Sequence, residues 1–434
     1  MVEPRSAPFP SGTLSPLPST LRSRDRRAWT NVQGEGGAAG ATGDDMKIKI
    51  ARRVREMAPS GIRAFFDLVL GMDDVISLGV GEPDFDTPWH IRETGIYSLE
   101  RGFTSYTSNK GLRELRVAIS DFLKSRHGLK YDPDDEILVT VGVSEALDLA
   151  VRTILERNEK FLVPQPSFVC YAPMVSLAGG VPVCIEIPAT QGFKLTPAVL
   201  RKNLGRSVRG VILNYPSNPT GVSYRAHELE ALAAVLRRSD LIVLSDEIYD
   251  ELTYDFAHTA FPTLPGMRER TIYLNGFSKA YAMTGWRIGY AAGPKEVIAA
   301  MTKIHQYTIM CAPTTGQVAA CEALRRGQKD VEEMKREYAR RRSLVYRRLN
   351  EMGLSCVKPD GAFYIFPCIR STRLDSMGFS QRLLKQEKVA VVPGTAFGRV
   401  GEGFVRISYA SSYDNLKEAL GRIEKFIERL RVEG

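Results

Sequence analysis

Seven apolar runs constrain the fold of this chain more than any other feature of its sequence. Most of them are separated by segments compatible with a helix, and their near-continuous apolar character predicts strands buried on both faces. Strands joined by helical crossovers form a mainly parallel sheet, so the expected fold class is α/β. The predicted strands are residues 136–142, 159–165, 181–187, 209–216, 240–248, 270–277 and 287–293.

The pattern changes after about residue 312. A long basic helix, whose charge run 335–348 we expect to be solvated, is followed by short strands and a final helix. This mixture predicts a smaller α+β domain over residues 312–434, after a large domain over 81–311. We expect residues 46–80 to pack with the small domain. Residues 1–45 are rich in Pro, Ser, Gly, Arg and Ala and lack any helix or strand period, which predicts a disordered extension.

Composition narrows the classes of function. The 434 residues are 44% hydrophobic, and no apolar run is long enough to cross a membrane. A formal net charge of +9 with the two signs interspersed predicts no nucleic-acid partner. The six cysteines form no CxxC pair and the five histidines are scattered, so we expect no metal site and a reducing, cytoplasmic location. Five arginines in the first thirty residues leave a transit peptide open, and a reading frame extended upstream of Met46 is equally compatible.

The stretch 275–290 reads NGFSKAYAMTGWRIGY and places Lys279 in a loop of small residues directly after an apolar run. The simpler interpretation is an exposed lysine in a turn, with Arg287 paired to some carboxylate. The alternative is an imine-forming amine, whose pKa is lowered by burial or by nearby positive charge so that it attacks a carbonyl. Arg287 would then hold a phosphate of the same ligand.

Other candidates follow the predicted strands, at the edge of a parallel sheet where ligands gather. In TVGVSEALDLA we expect Ser144 to cap a helix whose free N–H groups, including those of Val143 and Ser144, form a phosphate site. Phe168 is either a core residue or an aromatic that stacks on a flat ring. Asn218, in the turn NYPSNPTG, either stabilises that turn or donates from its amide to a ligand oxygen.

Three further residues complete the set of candidates. Asp246 ends an apolar strand, so its carboxylate needs a partner, which is either an internal arginine or a protonated ring nitrogen. Tyr249 lies three residues further on and could point the same way. Arg406, inside the alternating strand FVRISYA, is a candidate for a two-pronged contact with a carboxylate.

Five motifs occur along the chain in the order GEPDFDTP, NYPSNPTG, SDEIY, SKAYAMTGWRIGY and VRIS. In this order and spacing, from Met46 onward, the sequence resembles the class I/II aminotransferases, which are pyridoxal-phosphate enzymes of fold type I similar to aspartate aminotransferase. The resemblance implies a mainly parallel seven-stranded sheet flanked by helices, with a smaller α+β C-terminal domain. It also implies pyridoxal 5'-phosphate as the cofactor and a homodimer with shared active sites.

The resemblance assigns catalytic roles to Lys279, Asp246 and Tyr249. It implies that Lys279 bonds covalently to the cofactor and, once a substrate has released it, moves a proton at the substrate carbon. Asp246 is expected to keep the ring nitrogen of the cofactor protonated, while Tyr249 and Asn218 hydrogen-bond its phenolic oxygen. Phe168 matches an aromatic residue that stacks on the ring.

Other positions match contacts to the phosphate and to the substrate. The residues that match phosphate contacts within the subunit are Val143, Ser144, Ser278 and Arg287. Tyr106 matches a tyrosine that reaches the phosphate of the neighbouring subunit. Arg406 is similar to the arginine that binds the substrate α-carboxylate, assisted by Gly81 and Asn218. Phe277 occupies the place, two residues before the lysine, where these enzymes often carry a serine.

The activity that the resemblance implies is a ping-pong transfer. An L-amino acid, with aspartate or an aromatic amino acid favoured, gives up its amino group, and a 2-oxo acid such as 2-oxoglutarate then accepts it. Two alternatives stay open: a β-lyase on the same fold, and a pyridoxal-phosphate-sensing regulatory module. Such modules occur fused to DNA-binding domains, but residues 1–45 contain no helix-turn-helix pattern.

Overall fold

The computed structural model describes residues 49–57 and 72–433. The predicted disorder of residues 1–45 lies outside these ranges, and so does the stretch 58–71 of the predicted N-terminal segment. The contacts given below lie within the unit Ala51–Gly434. In the ranges that are described, no helix has the length and apolar character needed to span a membrane.

The largest sheet has seven strands, and each falls on one of the seven apolar runs, as predicted. Gly289–Ala292 runs antiparallel to both of its neighbours, and the remaining neighbours in the sheet pair in parallel. In spatial order the strands are Ile137–Thr140, Gly289–Ala292, Thr271–Gly276, Ile242–Asp246, Val208–Asn214, Lys160–Gln165 and Val181–Glu186. The α/β class and the mainly parallel sheet are therefore confirmed.

Both faces of the sheet are covered, which explains why its strands read as continuous apolar runs. Ile272 and Leu274 point to one face, where they pack in a core with the helix Gly142–Ile154. Tyr273 points to the opposite face and packs in a core with the helix Thr314–Arg326. Successive side chains of a strand alternate between faces, so this interior strand is buried along its whole length.

Helices follow the strands as the crossover pattern predicts. The predicted helix over residues 88–101 is observed as Trp89–Glu100. The α-helices of the described ranges are Arg52–Arg55, Trp89–Glu100, Arg113–His127, Gly142–Ile154, Tyr171–Leu177, Pro197–Asn203, Ala226–Leu236, Lys295–Thr308, Thr314–Arg326, Gln328–Glu351, Ser376–Glu387 and Tyr413–Glu433.

The C-terminal residues form a second, smaller sheet. Its antiparallel strands are, in spatial order, Val392–Pro393, Val405–Ser408 and Tyr364–Ile365. The strand Ile76–Ser77 pairs in parallel with Val389–Ala390, so the described end of the segment 46–80 contacts the C-terminal part of the chain. The domain bounds near residues 81 and 312 stay predictions.

The basic run 335–348 is not uniformly solvated, contrary to the prediction. Arg341 and Arg342 are buried, and Arg341 forms an ion pair of 2.7 Å with Asp84. Helical spacing could not reveal this pair, because its partner lies far away along the chain. The ion pair ties the long helix to the loop GEPDFDTP, which begins at Gly81.

The same loop is tied to the segment that follows Lys279. The hydroxyl of Thr87 donates to the carbonyl oxygen of Ala282 at 2.6 Å, and the indole N–H of Trp286 donates to the hydroxyl of Thr87 at 3.0 Å. These bonds fix the two loops against each other at the edge of the sheet.

Candidate active site

Lys279 lies just past the interior strand Thr271–Gly276, and its amine is enclosed rather than exposed. Its Nζ donates to the carbonyl oxygen of Gly81 at 2.7 Å. The same atom lies 6.0 Å from the ring centre of Tyr249 and 5.8 Å from that of Phe363. Aromatic walls and a single carbonyl acceptor leave the amine little water, so the interpretation as an exposed lysine in a turn is wrong.

This environment changes the basicity of the amine. Burial lowers the pKa of Lys279 to about 8, against the opposing influence of Glu82, and the positive charges of Arg406 and Arg287 lower it further. Asp246 acts in the opposite direction. A fraction of the amine is therefore neutral near neutral pH, which is the form that attacks a carbonyl.

Asp246 ends the strand Ile242–Asp246 and is buried. The hydroxyl of Tyr171 donates to its Oδ2 at 2.6 Å, and the backbone N–H of Ile248 donates to its Oδ1 at 3.3 Å. Burial raises the pKa of Asp246 to about 6 even though these two donors lower it. Across the described residues no arginine or lysine forms an ion pair with this carboxyl group, so a cationic group of a ligand is the partner that its chemistry favours.

Arg406 is a buried cation held by neutral groups. Its Nη1 donates to the Oδ1 of Asn218 at 2.9 Å, its Nη2 donates to the carbonyl oxygen of Gly79 at 2.5 Å, and its Nε has no hydrogen-bond partner. The guanidinium lies 4.6 Å from the ring centre of Tyr364 and 4.8 Å from that of Phe397. In the part of the chain that is described, no carboxylate pairs with it. An unpaired buried guanidinium is costly, so the site favours an anionic ligand.

A candidate phosphate site lies at the start of the helix Gly142–Ile154. A Cβ added to Gly142 would lie 2.6 Å from Nη2 of Arg287, so this guanidinium sits directly against the first residue of the helix. The backbone N–H groups of Val143 and Ser144 belong to the first turn, where they have no partner inside the helix. A cation beside free N–H groups at a helix N-terminus is suited to a phosphate.

The prediction that Ser144 caps this helix is wrong. The helix begins at Gly142, so Ser144 is its third residue and its side chain is exposed. The carboxylate of Glu145 accepts from the backbone N–H of Val141 at 2.5 Å and satisfies a donor at the helix start. Gly142 has a φ of 72°, which lets the chain turn from strand to helix three residues earlier than predicted, with Val141 at the cap position.

The remaining predicted residues differ in how they reach this region. The hydroxyl of Tyr249 lies 2.9 Å from that of Tyr364. Phe168 is half-buried and stands edge-on to Tyr171, with ring centres 5.7 Å apart. Ser278, next to Lys279 in sequence, is buried.

Tyr106 is not brought to the site within one chain. It is 79% exposed, and among the described residues it has no hydrogen bond or ring contact with the groups above. Its predicted role therefore depends on a second subunit.

Two tyrosines near the site were not identified from the sequence. Tyr171, which donates to Asp246, lies in PSFVCYAPM, three residues after the Phe168 that was singled out. Tyr364 lies in the strand-like run GAFYIFP, where a hydroxyl among apolar neighbours was the available signal. Burial of that hydroxyl requires a partner, but the identity of the partner depends on the fold.

Three of these groups fit one small molecule, and the fourth fits a second. An enclosed amine suits a carbonyl carbon, a buried carboxyl group suits a protonated ring nitrogen, and the cradle at Gly142 and Arg287 suits a phosphate. The unpaired Arg406 suits a second, separate anion such as a carboxylate. Pyridoxal phosphate carries the first three groups, and an amino acid supplies the fourth.

Comparison with known proteins decides the family. Residues 73–423 match the family model described as aminotransferase class I and II. The chain belongs to this family. A putative aminotransferase of Bacillus subtilis (strain 168), YugH, is 53% identical over 376 residues, covering 87% of this chain and 97% of that relative. An aspartate aminotransferase of Pyrococcus abyssi is 49% identical over 388 residues, covering 89% of this chain and 100% of the relative.

A solved structure agrees with these relatives. The crystal structure of an aromatic aminotransferase from Pyrococcus horikoshii OT3 is similar to this class I/II aminotransferase with a TM-score of 0.81 at 48% identity, over 85% of this chain and 99% of that one. The predicted enzyme class and the predicted cofactor, pyridoxal phosphate, are confirmed. None of these comparisons favours the β-lyase or the regulatory module.

The lowered pKa of Lys279 predicts a distinct labelling profile in the cofactor-free enzyme. Its reaction with acetic anhydride should rise with a midpoint near pH 8, because burial favours the neutral amine. Lys295 is the internal control, since its hydrogen bond with Asp135 raises its pKa. Peptide mass spectrometry after labelling at several pH values measures both residues in one sample. A midpoint for Lys279 at or above that of Lys295 would contradict the described environment.

Proposed function

We propose that this aminotransferase moves the amino group of an L-amino acid, with aspartate or an aromatic amino acid as favoured donor, to a 2-oxo acid such as 2-oxoglutarate. The observation that carries the proposal is the buried Arg406, which has no carboxylate partner in the described chain, near the enclosed amine of Lys279. The relatives named above include an aspartate aminotransferase and an aromatic aminotransferase, which supports both donor classes.

Each substrate is held first by its α-carboxylate. Arg406 binds this group through its guanidinium, with the amide of Asn218 and the backbone of Gly81 beside it. Asn218 is held in turn by Asn214, whose Oδ1 accepts from the backbone N–H of Asn218 at 3.0 Å. Because both amino acids and 2-oxo acids carry this carboxylate, one arginine serves both halves of a ping-pong cycle.

The cofactor is held through its ring and its phosphate. Asp246 keeps the ring nitrogen protonated, Tyr249 and Asn218 hydrogen-bond the phenolic oxygen, and Phe168 stacks on the ring. The phosphate is bound by Val143, Ser144, Ser278 and Arg287. When bound, the cofactor supplies an electron-withdrawing ring that stabilises negative charge at the substrate carbon.

Lys279 supplies the base. Its low pKa leaves the free amine able to accept a proton from the substrate carbon and to return it at another atom. The carbonyl oxygen of Gly81, 2.7 Å from the amine, gives the freed side chain a fixed hydrogen-bond partner. The aromatic walls around it exclude water that would compete for the proton.

A screen of single amino donors tests this function. The enzyme loaded with pyridoxal phosphate is mixed with one L-amino acid at a time, without acceptor, and the visible absorption of the cofactor is followed. We expect loss of this absorption with aspartate or an aromatic amino acid, and its recovery on addition of 2-oxoglutarate. Glycine, which has no side chain to select, is the control donor.

Two results would count against the proposal. If no donor changes the absorption, amino transfer is not the activity. If a β-substituted donor such as β-chloroalanine releases pyruvate and ammonia without any 2-oxo acid, and faster than transfer proceeds, the enzyme is a β-lyase.

We also propose a homodimer in which Tyr106 completes the site of the partner subunit. Tyr106 and Tyr307 are 79% and 87% exposed, and Phe103 and Met310 also expose much of their side chains. The amide of Asn109 donates to the carbonyl oxygen of Met310 at 2.9 Å, so the loop of Phe103 and Tyr106 lies beside the end of the helix Lys295–Thr308 and the residues that follow it. Clustered exposed aromatic and apolar side chains are typical of a protein interface.

Subunit mixing tests this arrangement. Tyr106→Ala and Lys279→Ala should each be nearly inactive as pure dimers, at a cofactor concentration that only just saturates the wild type. After unfolding and refolding together in equal amounts, half of the dimers are mixed, and each mixed dimer has one intact site. The mixture should therefore recover about a quarter of the wild-type activity. Activity no greater than the mean of the two pure variants would contradict shared sites.

We propose a cytoplasmic location. All six cysteines are free thiols, and Cys184 is exposed, which suits a reducing compartment.

A further inference from the structure

Tyr364 contacts more of the proposed site than any residue identified from the sequence, although it was not among them. It lies in the short strand Tyr364–Ile365, is buried, and pairs with Ser408 of the neighbouring strand. Arg406 lies two residues before Ser408 and therefore on the same face of the sheet. The ring of Tyr364 and its hydroxyl reach different parts of the site.

The ring supports Arg406. The guanidinium carbon of Arg406 lies 4.6 Å from the ring centre of Tyr364 and 4.8 Å from that of Phe397. The Nη atoms of Arg406 are held by Asn218 and Gly79, but its Nε is not held by any hydrogen bond. The two rings add cation–π contact to the two hydrogen bonds that hold this buried cation.

The hydroxyl serves the other side of the site. It lies 2.9 Å from the hydroxyl of Tyr249 and 3.3 Å from the carbonyl oxygen of Gly81, which also accepts from Lys279. A Cβ added to Gly81 would lie 2.5 Å from the hydroxyl oxygen of Tyr364. A glycine is thus needed at this position because the tyrosine hydroxyl approaches its backbone so closely.

The protons of the Tyr249 and Tyr364 hydroxyl groups can be arranged in two ways. Two hydroxyl groups hold two protons, and one proton lies in the bond between Tyr249 and Tyr364. If Tyr249 donates to Tyr364, then Tyr364 donates its own proton to Gly81. If Tyr364 donates to Tyr249 instead, the proton of Tyr249 is free for a ligand oxygen, and the carbonyl of Gly81 is left to Lys279.

We propose that Tyr364 is a positioning residue that holds the carboxylate-binding Arg406 with its ring and directs the proton of Tyr249 towards the cofactor with its hydroxyl. This inference rests on the proposed function, because it takes Tyr249 and Arg406 as the residues that bind the cofactor and the substrate. It assigns to one buried side chain the link between the two halves of the site. When Tyr364 donates a hydrogen bond to the hydroxyl oxygen of Tyr249, the O–H of Tyr249 also becomes a stronger donor to the cofactor.

The ring and the hydroxyl can be separated by substitution. Tyr364→Phe keeps the ring and removes only the hydroxyl, whereas Tyr364→Leu removes both. Tyr409→Phe is the matched control, since Tyr409 is equally buried in the same core and its hydroxyl donates to Ala362 at 3.2 Å, away from the site. The thermal midpoint of each holoenzyme reports whether the variant is folded.

Two measurements on the holoenzyme distinguish the roles. The pH titration of the visible absorption of the cofactor should shift upward, by up to about 1 pH unit, in Tyr364→Phe, because Tyr249 becomes a weaker donor to the phenolic oxygen when no group donates to its own oxygen. The dissociation constants of the unreactive carboxylates maleate and 3-phenylpropionate should stay within about twofold in this variant and rise about five- to thirtyfold in Tyr364→Leu. Tyr409→Phe should leave both quantities unchanged.

An unshifted titration in Tyr364→Phe overturns the role of the hydroxyl, and unchanged carboxylate binding in Tyr364→Leu overturns the role of the ring. If the leucine variant does not fold, the phenylalanine variant still tests the hydroxyl. These readouts need no turnover, so they are independent of the amino-donor screen. If the wild-type enzyme binds both carboxylates but transfers no amino group, the proposed function is wrong. The absorption titration and the carboxylate dissociation constants still test the role of Tyr364 in that case.

Discussion

The burial of three charged groups that lack protein counter-ions is the constraint on which the site depends. Asp246 and Arg406 are buried and Lys279 is partly buried, and within the described residues none of them forms an ion pair with an oppositely charged side chain. Each such group is costly to bury, and the cost falls when a ligand of opposite charge or suitable chemistry is bound. The enzyme is therefore built with the electrostatic complement of its ligands already in place.

The fold brings these three groups together although they lie far apart in the sequence. Asp246 ends one strand and Lys279 follows the neighbouring parallel strand, so their side chains lie at the same edge of the sheet. Arg406 comes from the small C-terminal sheet, and the loop of Gly81 is fastened to the long helix by the ion pair of Asp84 with Arg341. Two sheets and one loop thus converge on one amine, which makes the site sensitive to how they pack.

Apolar periodicity was enough to predict the seven strands, because strands buried on both faces leave a continuous apolar signal. Lys279 and Asp246 were also predictable. A charge at the end of an apolar strand is costly to bury unless a partner or a ligand compensates it. The predicted start of the helix was wrong because Gly142 turns the chain with a positive φ. The carboxylate of Glu145, which accepts from the N–H of Val141, takes the place of the expected serine cap. Tyr364 was missed for a different reason: its contacts join segments that are far apart in sequence.

We propose that Lys279 is the residue to which the cofactor bonds. Reduction of the holoenzyme with borohydride fixes that bond, and peptide mass spectrometry then locates the added mass. We expect the mass of the reduced cofactor on the peptide that contains Lys279 and on no other lysine peptide. The cofactor mass on a different lysine, or an enzyme that binds the cofactor without any reducible bond, would contradict it.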